Sequence, residues 1–170
     1  ILSYAKKFKK VDSFLRPDKF SKNSTTMESL VKHTLDILNK KNQYYPQAIA
    51  ILQPTSPFRK INTINIACKK FIRFKPDALV SVKKLKHTES PAMTFSFNRK
   101  KKYQKLNIKI KNKQNMKDYF ALDGGVIFLF KINKNNKYKL NGKTIFLEVD
   151  FPENIDIDNN KDLKLAKFFA

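Results

Sequence analysis

Ala48-Ile49-Ala50-Ile51-Leu52-Gln53-Pro54-Thr55-Ser56-Pro57-Phe58-Arg59 is the stretch on which the fold turns. Ala48 to Leu52 is apolar at every position, the pattern of a strand covered on both faces, as central parallel strands are. Its character then changes abruptly. Two prolines stiffen a loop in which Gln53, Thr55, Ser56 and Arg59 carry fixed hydrogen-bonding groups. In open α/β sheets ligands bind just beyond the carboxyl ends of the strands. A lone proline-flanked loop is more often merely rigid, so its meaning depends on its surroundings.

Towards the N-terminus, Thr25 or Thr26 caps a helix with Glu28 in its first turn. Met27, Leu30, Val31, Leu35 and Leu38 recur there at helical spacing. Further back, Val11 to Leu15 reads as a short strand closed by Arg16-Pro17, and Ile1 to Lys9 as the end of a helix. Towards the C-terminus, Asn62 or Thr63 caps a helix that turns Ile64, Ala67, Cys68, Phe71 and Ile72 inward. Pro76 breaks it, and Ala78-Leu79-Val80-Ser81-Val82 is a second buried strand. This β-α-β-α-β order predicts an α/β fold with a parallel sheet and crossover helices.

The middle of the chain departs from that pattern. Thr94 to Phe97 and Lys105 to Ile110 alternate apolar with polar, which predicts half-exposed antiparallel strands in an extension over residues 90–118. Gly125 to Phe130 and Thr144 to Val149 return to the sheet, and Asn160 to Phe169 is a closing helix. The whole reads as one domain over 1–170.

Composition narrows the function. The chain carries a formal net charge of +22, which suits a nucleic-acid binder. Yet the basic residues are nearly all Lys; Arg occurs only as Arg16, Arg59, Arg73 and Arg99. Lys, Asn, Ile and Phe, all with A/T-rich codons, are abundant together. Diffuse lysine on solvated surfaces is the favoured reading. The densest basic stretch, Arg99 to Lys117, has Tyr103 as its sole interior aromatic and lacks a stacking platform for single strands. A basic nucleic-acid-binding module built on that stretch is the rival reading. No apolar run approaches the roughly 20 residues of a membrane span. Cys68 has no second cysteine to pair with, which fits a reducing, cytoplasmic compartment. On its apolar stripe it reads as a small buried hydrophobe. His33 and His87 stand isolated, with His33 expected on the polar side of its helix.

A second chemical feature is Ile155-Asp156-Ile157-Asp158, with Asp162 beyond it. Alternation on an extended segment points Asp156 and Asp158 to one side. Two such carboxylates repel unless a cation lies between them, and Mg²⁺ takes one or two carboxylates with substrate phosphates. The plainer alternative is a set of surface acids at a strand-to-helix junction, with Asp162 favouring the helix start.

These stretches together resemble the sialic-acid cytidylyltransferase family, including CMP-legionaminic acid synthetase-like members. The Leu52–Arg59 octet resembles a signature of that family, with Phe58 where Leu is usual. Ile155-Asp156-Ile157-Asp158 resembles its Ser-Ile-Asp-Ile-Asp motif, with Asn154 for Ser. Arg16-Pro17 and the run Phe20 to Met27 resemble its Arg-Pro and Leu-Ser-x-Asp-x-Thr segment, with Asn23 for Asp. Tyr119 to Ile127 resembles its Tyr-x-x-Asn-Gly-Ala-Ile-Tyr segment, with Asp123-Gly124-Gly125 for Asn-Gly-Ala.

The resemblance implies a three-layer Rossmann-like nucleotidyltransferase fold with a mostly parallel sheet and a small antiparallel extension. It implies transfer of CMP from CTP to a nine-carbon 2-keto sugar acid, with release of pyrophosphate. It implies Mg²⁺ on Asp156 and Asp158, which are the catalytic pair. Substrate would meet Arg16, Ser21, Gln53, Thr55, Ser56, Arg59, Asp123 and Gly124. It also implies a homodimer formed through the extension, with no membrane and no nucleic-acid partner. The family's first strand and its Arg/Ser/Lys/Gly phosphate loop have no counterpart here, since glycine occurs only as Gly124, Gly125 and Gly142. The 170 residues are therefore expected to be an N-terminally truncated piece, inactive alone. An inactive remnant of the family is a further alternative.

Overall fold

The computed structural model describes residues 2–22, 24–91, 93–97, 103–105, 117–138 and 142–170. It divides into two compact units. The first comprises Ile1–Gln47 with Ile132–Tyr138, and the second Ala48–Lys131 with Lys139–Ala170.

The first unit is built on helix α2, Met27–Asn42, preceded by the short helix α1, Leu2–Ala5. Thr26 caps α2 by accepting the Ser29 amide, and Glu28 and Lys40–Lys41 complement its dipole. The helix ends at Gln43, a non-glycine in the left-handed region at φ 51°. Leu35 is buried, as its spacing predicts. The strand expected at Val11 to Leu15 does not form. Val11 and Leu15 are exposed, and no strand pairs with them among the described residues. An isolated apolar run has no ladder partner to satisfy its backbone. His33 also differs from expectation. It is half-buried and stacked on Phe20 at 4.3 Å.

The second unit is a five-stranded sheet with helix α3, Ile61–Phe74, against one face. Its strands are β1 (Ala48–Ile51), β2 (Ala78–Lys84), β5 (Phe120–Leu122), β6 (Phe128–Lys131) and β7 (Thr144–Glu148). Two further strands, β3 (Phe95–Phe97) and β4 (Tyr103–Lys105), pair antiparallel as a separate sheet. This matches the start of the expected extension; residues 106–110 of the second expected strand lie outside the described residues.

The α/β class holds, but the pairing differs from the expected parallel order. β1 and β2 run in the same direction without touching, because β6 lies between them, antiparallel to both. Only β2 and β7 pair in parallel. β5 and β6 occupy the same edge of β2, opposite β7. β1 is thus an outer strand among the described residues, with Ala48 and Ala50 exposed. Uniform apolarity cannot distinguish a central strand from an edge one; pairing partners decide that, and they are distant in sequence.

The core joins Ala67 of α3 to Leu79, Val126, Ile127, Leu129, Leu147 and Val149, with Ile64, Cys68 and Phe71 packed against them. Cys68 is indeed an ordinary core neighbour. Ile72, expected inward, is exposed. The cap position of α3 is Lys60, not Asn62 or Thr63, and Lys60 supplies no side-chain cap. Glu153 takes that place, its Oε1 accepting the Lys60 amide at 2.8 Å. A cap donated from ninety residues away has no local signature. Helix α4, Asn160–Phe169, closes the unit behind a capping box of Asn159 and Asp162. No helix among the described residues is long and apolar enough to cross a membrane.

Candidate functional site

The proline loop after β1 is fastened rather than free. The Gln53 amide donates to Gly125 O at 3.2 Å, and the Ser56 amide to Gln53 O at 3.3 Å. The Arg59 guanidinium spends its donors on backbone: Nε on Val126 O, and Nη2 on Gln53 O at 2.7 Å and Gly125 O at 3.3 Å. A planar fork reaching three carbonyls is a use that lysine cannot copy. Burial pushes the Arg59 guanidinium below its ordinary value, opposed by the nearby Asp123 and Glu153 carboxylates. Arg59 is thus first a brace between the loop and the segment before β6. Ser56 is buried, and its Oγ has no hydrogen-bond partner.

That partner segment is a bulge. Val82 faces Leu122 and Val80 faces Phe128, so two residue steps on β2 oppose six on the other strand. Asp123 to Ile127 thus stand opposite the single residue Ser81, and extra residues of this kind recur where a sheet re-aims groups at a site. Asp123 is 1% exposed, and its Oδ1 accepts the Gly125 amide at 3.0 Å, the Val126 amide at 3.3 Å and the Ser81 hydroxyl at 2.9 Å. Gly124 and Gly125 have φ of 88° and 107°, a region open to glycine. Space demands glycine as well: a Cβ on Gly124 would land in the Asp156 carboxylate, and one on Gly125 in the Gln53 side chain.

The acidic doublet approaches from the other side. The Ile157 amide donates to Thr55 O at 2.9 Å, which ties Asp156-Ile157 to the proline loop. The Asp156 carboxylate packs over Gly124, with Oδ1 buried and unpartnered. Asp158 is exposed, at the bend into α4. Asp162 accepts the Asp158 and Asn159 amides, each at 3.1 Å, so it is the helix-start residue its position implied.

Three motifs far apart in sequence therefore meet. Gln53, Thr55, Ser56 and Arg59 adjoin Asp123, Gly124 and Gly125, and Asp156 adjoins both groups. Arg16 and Ser21 belong to the first unit. Arg16 is exposed there, and the Ser21 hydroxyl donates to Pro17 O at 3.3 Å. Asn23, Arg99 to Lys102 and residues 106–116, the bulk of the basic stretch, lie outside the described residues.

Sequence reasoning missed Ser81 and Glu153. Ser81 is fully buried and bonds both Asp123 and the Ile127 backbone. Its signal was legible as the one hydroxyl inside an otherwise apolar strand. Glu153 is buried at the N-terminus of α3, and only its nearness to Asp156 in a basic chain marked it.

Among the described residues, no group of three or more His, Cys, Asp or Glu is placed to hold a metal ion. Two buried carboxylate oxygens nevertheless lack partners, Asp123 Oδ2 and Asp156 Oδ1. Buried anionic oxygens without donors are where a hard cation fits. No protein-family model matches the chain, and no curated protein matches it.

Proposed function

We propose that this chain is the main body of a cytidylyltransferase. It would join CMP from CTP to a nine-carbon 2-keto sugar acid of the sialic or legionaminic type and release pyrophosphate. One observation carries the reading. The proline loop, the Asp123-Gly124-Gly125 bulge and Asp156 meet beyond the carboxyl end of β1, where α/β sheets bind ligands. Three of the four stretches that resemble the family in sequence are thus neighbours in space.

In this reading Gln53 holds the sugar acid, its side chain packed into the space that the absent Cβ of Gly125 leaves. Ser56, buried with an unpartnered hydroxyl, shapes the floor of the loop, and Arg59 fastens that loop through Gln53 O. Mg²⁺ fits the oxygen chemistry of Asp156 and Asp158, which would hold it, and it would supply charge neutralisation at the phosphates. The protein's own part is positioning, the dominant contribution in phosphoryl-type transfers. The finer fold assignment, a three-layer Rossmann-like nucleotidyltransferase with a dimerising extension, belongs to the same proposal, as does a cytoplasmic setting.

The test is pyrophosphate release from CTP with a panel of nine-carbon 2-keto acids. It is run on the chain alone and on the chain joined to an upstream phosphate-binding loop. CTP-specific turnover that needs the upstream loop and fails in Asp156→Asn is expected. No turnover across the panel in the joined form sinks the proposal. Sub-micromolar affinity for a random DNA duplex at near-physiological salt would favour the rival module, since non-specific binding is typically about 10⁻⁴ to 10⁻⁶ M.

A further inference from the structure

We infer that Asp123 is a positioning residue. Through Oδ1 it holds the bulge in the one arrangement that places Gly124 under Asp156 and Gly125 against Gln53. The inference rests on the proposed function only in taking Asp156 and Gln53 as the groups that meet ligand.

Backbone donors of a buried bulge need acceptors, and here side chains provide them for three consecutive amides. The Gly125 and Val126 amides go to Asp123 Oδ1, and the Ile127 amide goes to Ser81 Oγ at 2.9 Å. The Ser81 hydroxyl has one proton for two acceptors, Asp123 Oδ1 at 2.9 Å and Ile127 O at 3.0 Å. On the carbonyl side, Gly125 O takes the Gln53 amide and Arg59, Val126 O takes Arg59, and Ile127 O takes the Ser81 amide at 3.0 Å. Asp123 thus stands at the centre of the bonds that hold Gly125 to Ile127, with Gln53 at their outer end.

All three bonds converge on one oxygen. Oδ2 takes no bond. The requirement is thus for an acceptor at Oδ1, and a full negative charge is not part of it. An Asn side chain reproduces that acceptor, whereas Ala removes it. Asp123 is too deeply buried, at 1% exposed, to meet substrate directly. Its influence passes to the site through Gly124 and Gly125.

Amide hydrogen exchange, read by NMR on the 170-residue chain, tests this. Asp123→Ala is expected to speed exchange at Gly125, Val126 and Gln53 by roughly tenfold or more, the scale of a lost buried hydrogen bond. The Leu79 and Val80 amides should hold. Asp123→Asn is expected to keep protection at all of these positions. Gln53 is decisive, because its amide bonds Gly125 O and not Asp123.

Unchanged exchange at Gln53 in Asp123→Ala would confine Asp123 to a local role and overturn the inference. So would Asp123→Asn losing protection as Asp123→Ala does, since charge would then be the requirement. Should the Ala variant not fold, the Asn variant decides alone by the same criterion at Gln53. Mn²⁺ titration followed by electron paramagnetic resonance separates the two proposals. No Mn²⁺ binding by the unaltered chain counts against Asp156 as a ligand, while the amide pattern still decides the role of Asp123.

Discussion

Gly124 lies directly beneath the carboxylate of Asp156, so closely that a Cβ at 124 would occupy the space of Asp156 Oδ2 and Cγ. No side chain can be added at 124 unless Asp156 moves. The nearest segment of β-ladder does not impose this contact; the bulge before β6 does.

Gly124→Ala should therefore injure both stability and site. Its φ of 88° is strained for any side chain, at about 1–3 kcal/mol, and Asp156 must also move. Urea unfolding should show the loss, and Mn²⁺ affinity should fall with it. A variant as stable as the parent, binding Mn²⁺ equally well, would contradict the contact.

Asp156→Asn should keep the fold and remove most cation binding, because the amide has nearly the carboxylate's shape without its charge. Asp158→Asn should weaken binding too, and the double variant should lose little beyond either single one if the two act as a unit. Asp162→Ala is the internal control. It loses a helix cap, about 1 kcal/mol of stability, and should leave Mn²⁺ affinity unchanged. Mn²⁺ titration of the four variants, with melting curves, decides the matter. Near-parental affinity in both Asn variants would remove the metal assignment.

Arg59→Lys should destabilise the second unit although it keeps the charge. Lysine cannot serve Val126 O, Gln53 O and Gly125 O together; the last two keep the Ser56 and Gln53 amides, but a buried carbonyl such as Val126 O left without a donor costs about 1–3 kcal/mol. Chemical denaturation reads the loss. A lysine variant of parental stability would mean that the brace is dispensable.

In the first unit, the Lys32 ammonium and then the Asn136 amide hold the Asp36 carboxyl below its ordinary value of 3.8. A depressed carboxyl stabilises the fold above its unfolded value and loses that contribution as pH falls through the folded value. The loss is thus confined to acid below about pH 3.8. Carbon-13 titration of Asp36 should show a larger upward move in Lys32→Met than in Asn136→Ala. The reverse order would show that the amide, and not the ion pair, holds the proton off.

Much of the fold was legible because its signals are local. Thr26 before an apolar stripe announced α2, Ile64, Ala67, Cys68 and Phe71 announced the buried side of α3, and Asp162 announced the start of α4. The failures share one cause. Val11 to Leu15 looked like a strand but found no partner. Ile72 fell on the predicted stripe but is exposed, while its neighbour Phe71 takes the place against the core. The start of α3 was set by Glu153, a cap that no local pattern could disclose.

The sequence by itself determined the residue types of the site and the apolar runs that became its scaffold. Proline stiffness, glycine freedom and a carboxylate doublet are properties of the residues and can be read one at a time. The tertiary structure alone decided strand order, with β6 between β1 and β2, and it alone turned Asp123 inward on to Ser81. It also brought Gly124 beneath Asp156 and spent Arg59 on three carbonyls. Each of those outcomes depends on hydrogen bonds between residues tens of positions apart. Chain order does not encode such pairings locally; they follow from satisfying every buried backbone group at once.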